Sequence, residues 1–112
     1  MPGKFEVKKA NNGQFMFNLK AGNGEIILTS ESYTTRDGCL NGVESVRKNA
    51  AADANFDRRT AKNGKPYFAL KAGNGQDIGR SEMYESTASM EKGIQSVMRN
   101  APEAKLVDTA GA

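Results

Sequence analysis

The sequence contains no histidine and a single cysteine, Cys39. Histidine is the commonest general base and the commonest metal ligand, so its absence removes the usual catalytic triad and most acid–base schemes at neutral pH. One thiolate cannot make a zinc site, and Cys39 falls on the apolar stripe of a helical pattern, where a core role is expected. The aspartates and glutamates are scattered, without the spacing of a calcium loop. The chain therefore reads as a non-enzymatic binding module, with no cofactor and no metal expected, and an enzyme of unrecognised type is the third alternative.

Two features still invite a chemical reading. Gly22-Asn23-Gly24 and Gly73-Asn74-Gly75 are glycine-rich, but a phosphate-cradling loop opens into a helix N-terminus, whereas these open into a strand pattern. They read as hairpin turns. Glu31 with Tyr33, and Glu82 with Tyr84, occupy the approach to each helical segment, where an acid and a phenol together could hold a polar ligand. The structural expectation for them is that each tyrosine packs beneath its helix and each glutamate satisfies backbone amides nearby.

The elements that would position these residues follow from an internal duplication. Shifted by 51 residues, the sequence lands on itself: 18 of the 39 positions from 12 to 50 are identical, without a gap. Asn12-Gly13 meets Asn63-Gly64, and Leu19-Lys20-Ala21-Gly22-Asn23-Gly24 meets the same six residues at 70–75. Each copy reads as three strands and a helix. In copy one the strands lie near Phe5–Lys9, Gln14–Lys20 and Glu25–Thr29, with Asn12-Gly13 as a two-residue turn. Phe15, Phe17 and Leu19 alternate with polar neighbours, which gives the middle strand one core face.

Helices are expected over Arg36–Lys48 and Thr87–Arg99, with Thr35 and Ser86 as N-caps and Asn49 and Asn100 as left-handed C-caps. Cys39, Val43 and Val46 recur as Met90, Ile94 and Val97, an i, i+4, i+7 stripe that faces the sheet. Glycine inside a helix costs about 1 kcal/mol relative to alanine. Its presence at both Gly42 and Gly93 points to a close approach by a ring or another backbone.

A fifty-residue copy has a marginal core, so the two should join into one sheet with both helices on one face. Each helix is followed by a strand pattern, and the central one, Asn55–Thr60, must serve both copies. The boundaries fall at about 4–53 for repeat one and about 54–109 for repeat two, within one compact domain of residues 1–112.

The paired Asn-Gly turns, the Leu-Lys-Ala-Gly-Asn-Gly hairpin, the Ser-Glu-x-Tyr segment and the helix closing on Asn-Ala resemble the YegP-like family of small bacterial proteins of unknown function. The resemblance covers residues from about Lys4 to Ala101. It implies an α+β fold, in which two tandem β-β-β-α-β repeats form one mainly antiparallel sheet and exchange their C-terminal strands. It implies no activity, substrate or catalytic residue.

The outer sheet face remains as a candidate surface. With Phe17 and Ile27 facing inwards, copy one should present Met16, Ile26 and Leu28 outwards as an apolar patch, suited to a protein partner or to a second copy of the chain. Copy two presents Tyr67 there, and Lys8, Lys20, Lys65 and Lys71 could meet phosphates while Tyr67 stacks a base, which is the nucleic-acid alternative. The formal charge of +3 is spread thinly, with seven basic and five acidic side chains in residues 1–50, and nine and eight in the remainder. No apolar stretch approaches the roughly 18 residues of a membrane span. The first residues lack a secretory pattern, and a lone cysteine suits a reducing compartment, so a cytoplasmic protein is expected.

Overall fold

The computed structural model describes residues 3–109. Its strands are β1 (Lys4–Lys9), β2 (Phe15–Lys20), β3 (Ile26–Ser30), β4 (Phe56–Thr60), β5 (Pro66–Lys71), β6 (Asp77–Arg80) and β7 (Lys105–Asp108). The helices are α1 (Arg36–Asn49) and α2 (Thr87–Asn100). All seven strands form one sheet in the order β4-β5-β6-β3-β2-β1-β7. Every pairing is antiparallel except that of β7 with β1. The α+β class and the single sheet are as expected.

The four hairpins share one turn. At the first, Gly13 N–H donates to Ala10 O (3.0 Å) and Ala10 N–H to Gln14 O (2.7 Å), with Gly13 at φ 83°. This is a three-residue loop with glycine in the left-handed region, not the two-residue turn expected. The asparagine contributes through its side chain: Asn12 Oδ1 accepts from Gln14 N–H at 3.0 Å, and Asn23, Asn63 and Asn74 do the same at their turns.

The copies meet at β3 and β6, where Thr29 pairs with Arg80. These residues are 51 apart, so a pseudo-twofold axis passes between them. The exchange of C-terminal strands is made by β7, which leaves repeat two and lies parallel to β1 of repeat one, with Lys105 N–H donating to Gly3 O and Thr109 N–H to Val7 O. After α1 the chain instead passes through a 3-10 turn, Asp53–Asn55, directly into β4, which pairs with β5 of repeat two alone, so the central strand does not serve both copies as expected. At that edge Arg58 stands where copy one has Val7, and it binds Glu91 on α2 and Asp53. An inward charge of this kind guards an open edge against further strand pairing.

Both helices pack on one face. Cys39, Val43 and Val46 of α1, and Met90, Ile94 and Val97 of α2, are buried against Phe5, Phe17, Leu19, Phe56, Phe68 and Leu70. Thr35 and Ser86 cap the helices as expected, accepting from Gly38 N–H at 3.0 Å and Ser89 N–H at 3.1 Å. The C-termini differ from expectation. No residue other than glycine has a positive φ among those described. Asn49 and Asn100 are the last helical residues, and their amides donate back to Ser45 O and Ser96 O, each at 2.8 Å.

Gly42 and Gly93 are explained by rings. A β-carbon on Gly42 would lie 2.7 Å from Tyr33 Cζ and 3.1 Å from Phe17 Cε2. On Gly93 it would lie 2.7 Å from Tyr84 Cζ. In each copy the tyrosine stacks on the middle-strand phenylalanine, and that ring meets a second phenylalanine edge-on: Tyr33, Phe17 and Phe5, and Tyr84, Phe68 and Phe56.

One inward-outward assignment is corrected. Leu28 is fully buried, on the helix face, not outward. The register between β2 and β3 shifts at Leu19/Lys20, so that Leu28 pairs with Leu19 while Ile26 pairs with Lys20. The extra residue, Ile27, breaks the period of two and leaves both Ile27 and Leu28 in the core. Copy two has the same bulge at Leu70/Lys71, with Ile78 buried and Gly79 in place of Leu28.

Candidate functional site

The bulge dissolves the apolar patch. Of its three residues, Leu28 belongs to the core, Met16 is half-buried and only Ile26 is exposed, at 38%. The outer face is instead charged. Cross-strand partners share a face, so the register places Lys4, Lys8, Lys20, Arg59, Lys71, Arg80 and Lys105 there, against the acids Glu6, Asp57 and Asp77. Seven basic groups against three acidic ones leave +4 on the outer strand positions, more than the +3 of the whole chain. The outer strand positions thus account for the chain's net positive charge, which looks thinly spread along the sequence, and the remaining charges nearly balance.

The acids hold part of this charge in place. Glu6 Oε1 lies 3.2 Å from both Lys8 Nζ and Lys20 Nζ. Hydrogen bonds from Lys8 and then Lys20 keep the Glu6 carboxyl below the usual carboxylate range. Arg59 spans Asp57 and Asp77 at 2.9 Å each, and its hydrogen bonds lower the Asp77 carboxyl in the same way. Arg80 reaches Glu31 at 3.6 Å, and Lys71 reaches Asp57 at 3.9 Å. Lys4 and Lys105 form no ion pair among the described residues.

Of the nucleic-acid candidates, Lys8, Lys20, Lys71 and Tyr67 share this face, with Tyr67 half-buried on β5 opposite Arg59. Lys65 stands at the mouth of the β4–β5 hairpin and is bound to Glu85 at 2.9 Å. Sequence reading missed Lys4, Arg59, Arg80 and Lys105. Their period-two placement in short strand patterns was available as a signal, but the pairing of strands from opposite ends of the chain was not.

The acid–phenol pairs resolve as packing. Tyr33 and Tyr84 lie beneath the helices, where burial pushes both phenols up from their ordinary value. Glu31 meets Arg80, and Glu82 is exposed. The amide-satisfying role expected of the glutamates falls to their neighbours. Ser30 Oγ accepts from Phe17 N–H at 2.8 Å and donates to Glu31 O at 2.7 Å, and Ser81 repeats this with Phe68 and Glu82. Cys39 is buried, and its thiol is pushed up to about 11 by that burial, so little thiolate forms at neutral pH. No group of three or more metal-ligating side chains gathers among the described residues, and no helix there is long and apolar enough to cross a membrane.

Fold and face together define an internally duplicated α+β protein with one helix-covered and one open, basic sheet face. The chain belongs to the family described as a domain of unknown function, DUF1508, which matches it twice, over residues 10–57 and 61–108. The two matches are offset by the 51 residues of the repeat. The chain is 56% identical over 108 residues to a UPF0339 protein of Pseudomonas aeruginosa, covering 96% of this chain and 98% of that one. A UPF0339 protein of Bordetella pertussis is also 56% identical over 108 residues, covering 96% of each.

The solution NMR structure of a UPF0339 protein from Shewanella oneidensis superposes with a TM-score of 0.92 at 52% identity, covering 98% of this chain and 93% of that one. That of yegP from E. coli, a protein of unknown function, superposes at 0.94 with 47% identity, covering 100% and 97%. The YegP-like resemblance and its tandem fold are borne out, and none of these relatives carries an assigned function.

Proposed function

We propose that this protein is a non-enzymatic binding module whose open sheet face holds a single-stranded nucleic acid by its phosphates. The observation that carries the reading is the net charge of the open face: +4 on the outer strand positions of a chain of +3. Clustered Lys and Arg on one face are the electrostatic footprint that a polyanion requires. The burial of Leu28 removes the apolar patch that favoured a protein partner or self-association. Seven strands at about 4.8 Å spacing make a face roughly 29 Å across, too broad for a duplex major groove of about 12 Å. A flexible single strand can lie across it, with Tyr67 as a stacking ring. A cytoplasmic location fits this reading, and the free, buried Cys39 thiol suits a reducing compartment.

The test is a fluorescence-anisotropy titration of a labelled twelve-nucleotide single strand at several salt concentrations. With about four phosphates neutralised, log K should fall against log salt with a slope of about −3, which is roughly 50-fold between 50 and 200 mM. Absence of binding at 50 mM salt up to about 1 mM protein, or a slope near zero, overturns the reading.

A further inference from the structure

Three lysines stand side by side across three neighbouring strands. Lys4 on β1 pairs with Lys20 on β2 and, on its other side, with Lys105 on β7. Like charges placed directly opposite one another in a sheet are destabilising. Of the three, only Lys20 forms an ion pair among the described residues, with Glu6, which it shares with Lys8. Beside the row lies a concavity of about 360 Å³, lined by Gly3, Lys4, Ala21, Gly22, Gly24, Lys105 and Val107. Glycines on this wall leave backbone unscreened by side chains. Gly3 has a steric reason to be glycine, since a β-carbon there would overlap the Lys20 carbonyl. That close approach sets Lys4 against Lys20.

Copy two provides an internal comparison. Lys71, the counterpart of Lys20, pairs across the strands with Asp77 and lies 3.9 Å from Asp57. Ala54 and Asn55 stand at the positions of Gly3 and Lys4. No described strand lies beside β4 as β7 lies beside β1. The row of three lysines thus exists only where the exchanged strand brings Lys105 from repeat two against repeat one. The three strands and helix of a repeat do not by themselves call for it, because copy two builds them without it.

We infer that Lys4, Lys20 and Lys105, with the adjoining glycine-walled concavity, form a binding site for a phosphate group. Three lysine side chains rooted at strand spacing on one face can reach a single tetrahedral dianion and meet it with charge-assisted hydrogen bonds. The inference deepens the nucleic-acid reading and rests on it for the strand to which the phosphate is attached. A free phosphate ion is the other source of the same chemistry.

The test titrates inorganic phosphate into the full chain in a phosphate-free, low-salt buffer, followed by amide NMR shifts. A saturable response at Gly3, Lys4, Gly22, Gly24 and Lys105 is expected, weakened at least fivefold in Lys4→Gln and in Lys105→Gln and unchanged in Lys62→Gln. Phosphate should also raise the melting temperature of the parent chain more than that of the double variant Lys4→Gln/Lys105→Gln. The double variant should fold at least as well without phosphate, because the repulsion is gone. In a second arm, a single strand bearing a 5′-phosphate should bind more tightly than its 5′-hydroxyl form, and the double variant should lose the difference.

No saturable response at these amides, or a response that the variants leave unchanged, overturns the site even where the plain strand binds. A phosphate response with no strand binding upholds the site and removes the nucleic-acid reading.

Discussion

Leu28 occupies the space that a side chain on Gly79 would need: its Cγ lies 3.2 Å from where a β-carbon on Gly79 would sit. The two positions are equivalent under the 51-residue shift, and they flank the pseudo-twofold axis at Thr29 and Arg80. Beside the axis one side chain fits and its counterpart is absent. Leu28→Ala should therefore destabilise by about 3 kcal/mol, as for a buried leucine. Gly79→Ala should also destabilise, because its β-carbon would lie 2.8 Å from the Thr29 carbonyl oxygen. Ile26→Asp, on the exposed face, should stay within about 0.5 kcal/mol. Urea unfolding of the three variants separates these outcomes, and a neutral Leu28→Ala would contradict the bulge.

Gly42 sets helix propensity against packing. Alanine in a helix interior gains about 1 kcal/mol over glycine. Here its β-carbon would fall within 2.7 Å of Tyr33 Cζ, so Gly42→Ala should instead cost about 1–3 kcal/mol by overpacking. In a Tyr33→Leu background the same change should cost less or become stabilising. A double-mutant cycle measures the coupling, and additive effects would show that the ring does not set this glycine.

Glu6 links stability to binding. Its carboxyl is lowered in the folded state by Lys8 and Lys20, so its stabilising contribution is present above the unfolded value, about 4.3, and is lost as pH falls through the folded value. The lysines are partly exposed, so Glu6→Gln should cost no more than about 1 kcal/mol near neutral pH. The same change frees two lysines and should tighten anion binding by about fivefold at low salt, the equivalent of about 1 kcal/mol. Anisotropy titrations of parent and variant measure this directly, and weaker binding in Glu6→Gln would contradict the assigned face.

Truncation after Ala52 removes β7 from the edge of β1 and β6 from the edge of β3. The fragment should unfold or associate through its exposed edges. Sedimentation and NMR dispersion distinguish these outcomes from a folded monomer, which would contradict the dependence on the exchanged strand.

Much of this architecture was legible in local sequence. The repeat, the caps Thr35 and Ser86, the inward set Phe17, Leu19, Phe68 and Leu70, and the rings implied by Gly42 and Gly93 all follow from spacing and residue type. Leu28 was misread because alternation assumes an unbroken ladder, and a bulge adds one residue without any mark in composition. Asn49 and Asn100 were misread as left-handed caps: each is the last helical residue, and its side-chain amide donates back to Ser45 O or Ser96 O. The lysine row was illegible for a different reason: Lys4 and Lys105 are 101 positions apart in the sequence, and only the parallel pairing of β1 with β7 makes them neighbours.

Which lysines the ligand covers tests the central claim most directly. Acetylation footprinting by mass spectrometry, with and without a saturating single strand at low salt, reports each lysine separately. Lys4, Lys8, Lys20, Lys71 and Lys105 on the outer face should be protected, while Lys48 on α1 and Lys92 on α2 should react as before. Protection of Lys48 and Lys92 with the outer-face lysines unchanged would contradict the account.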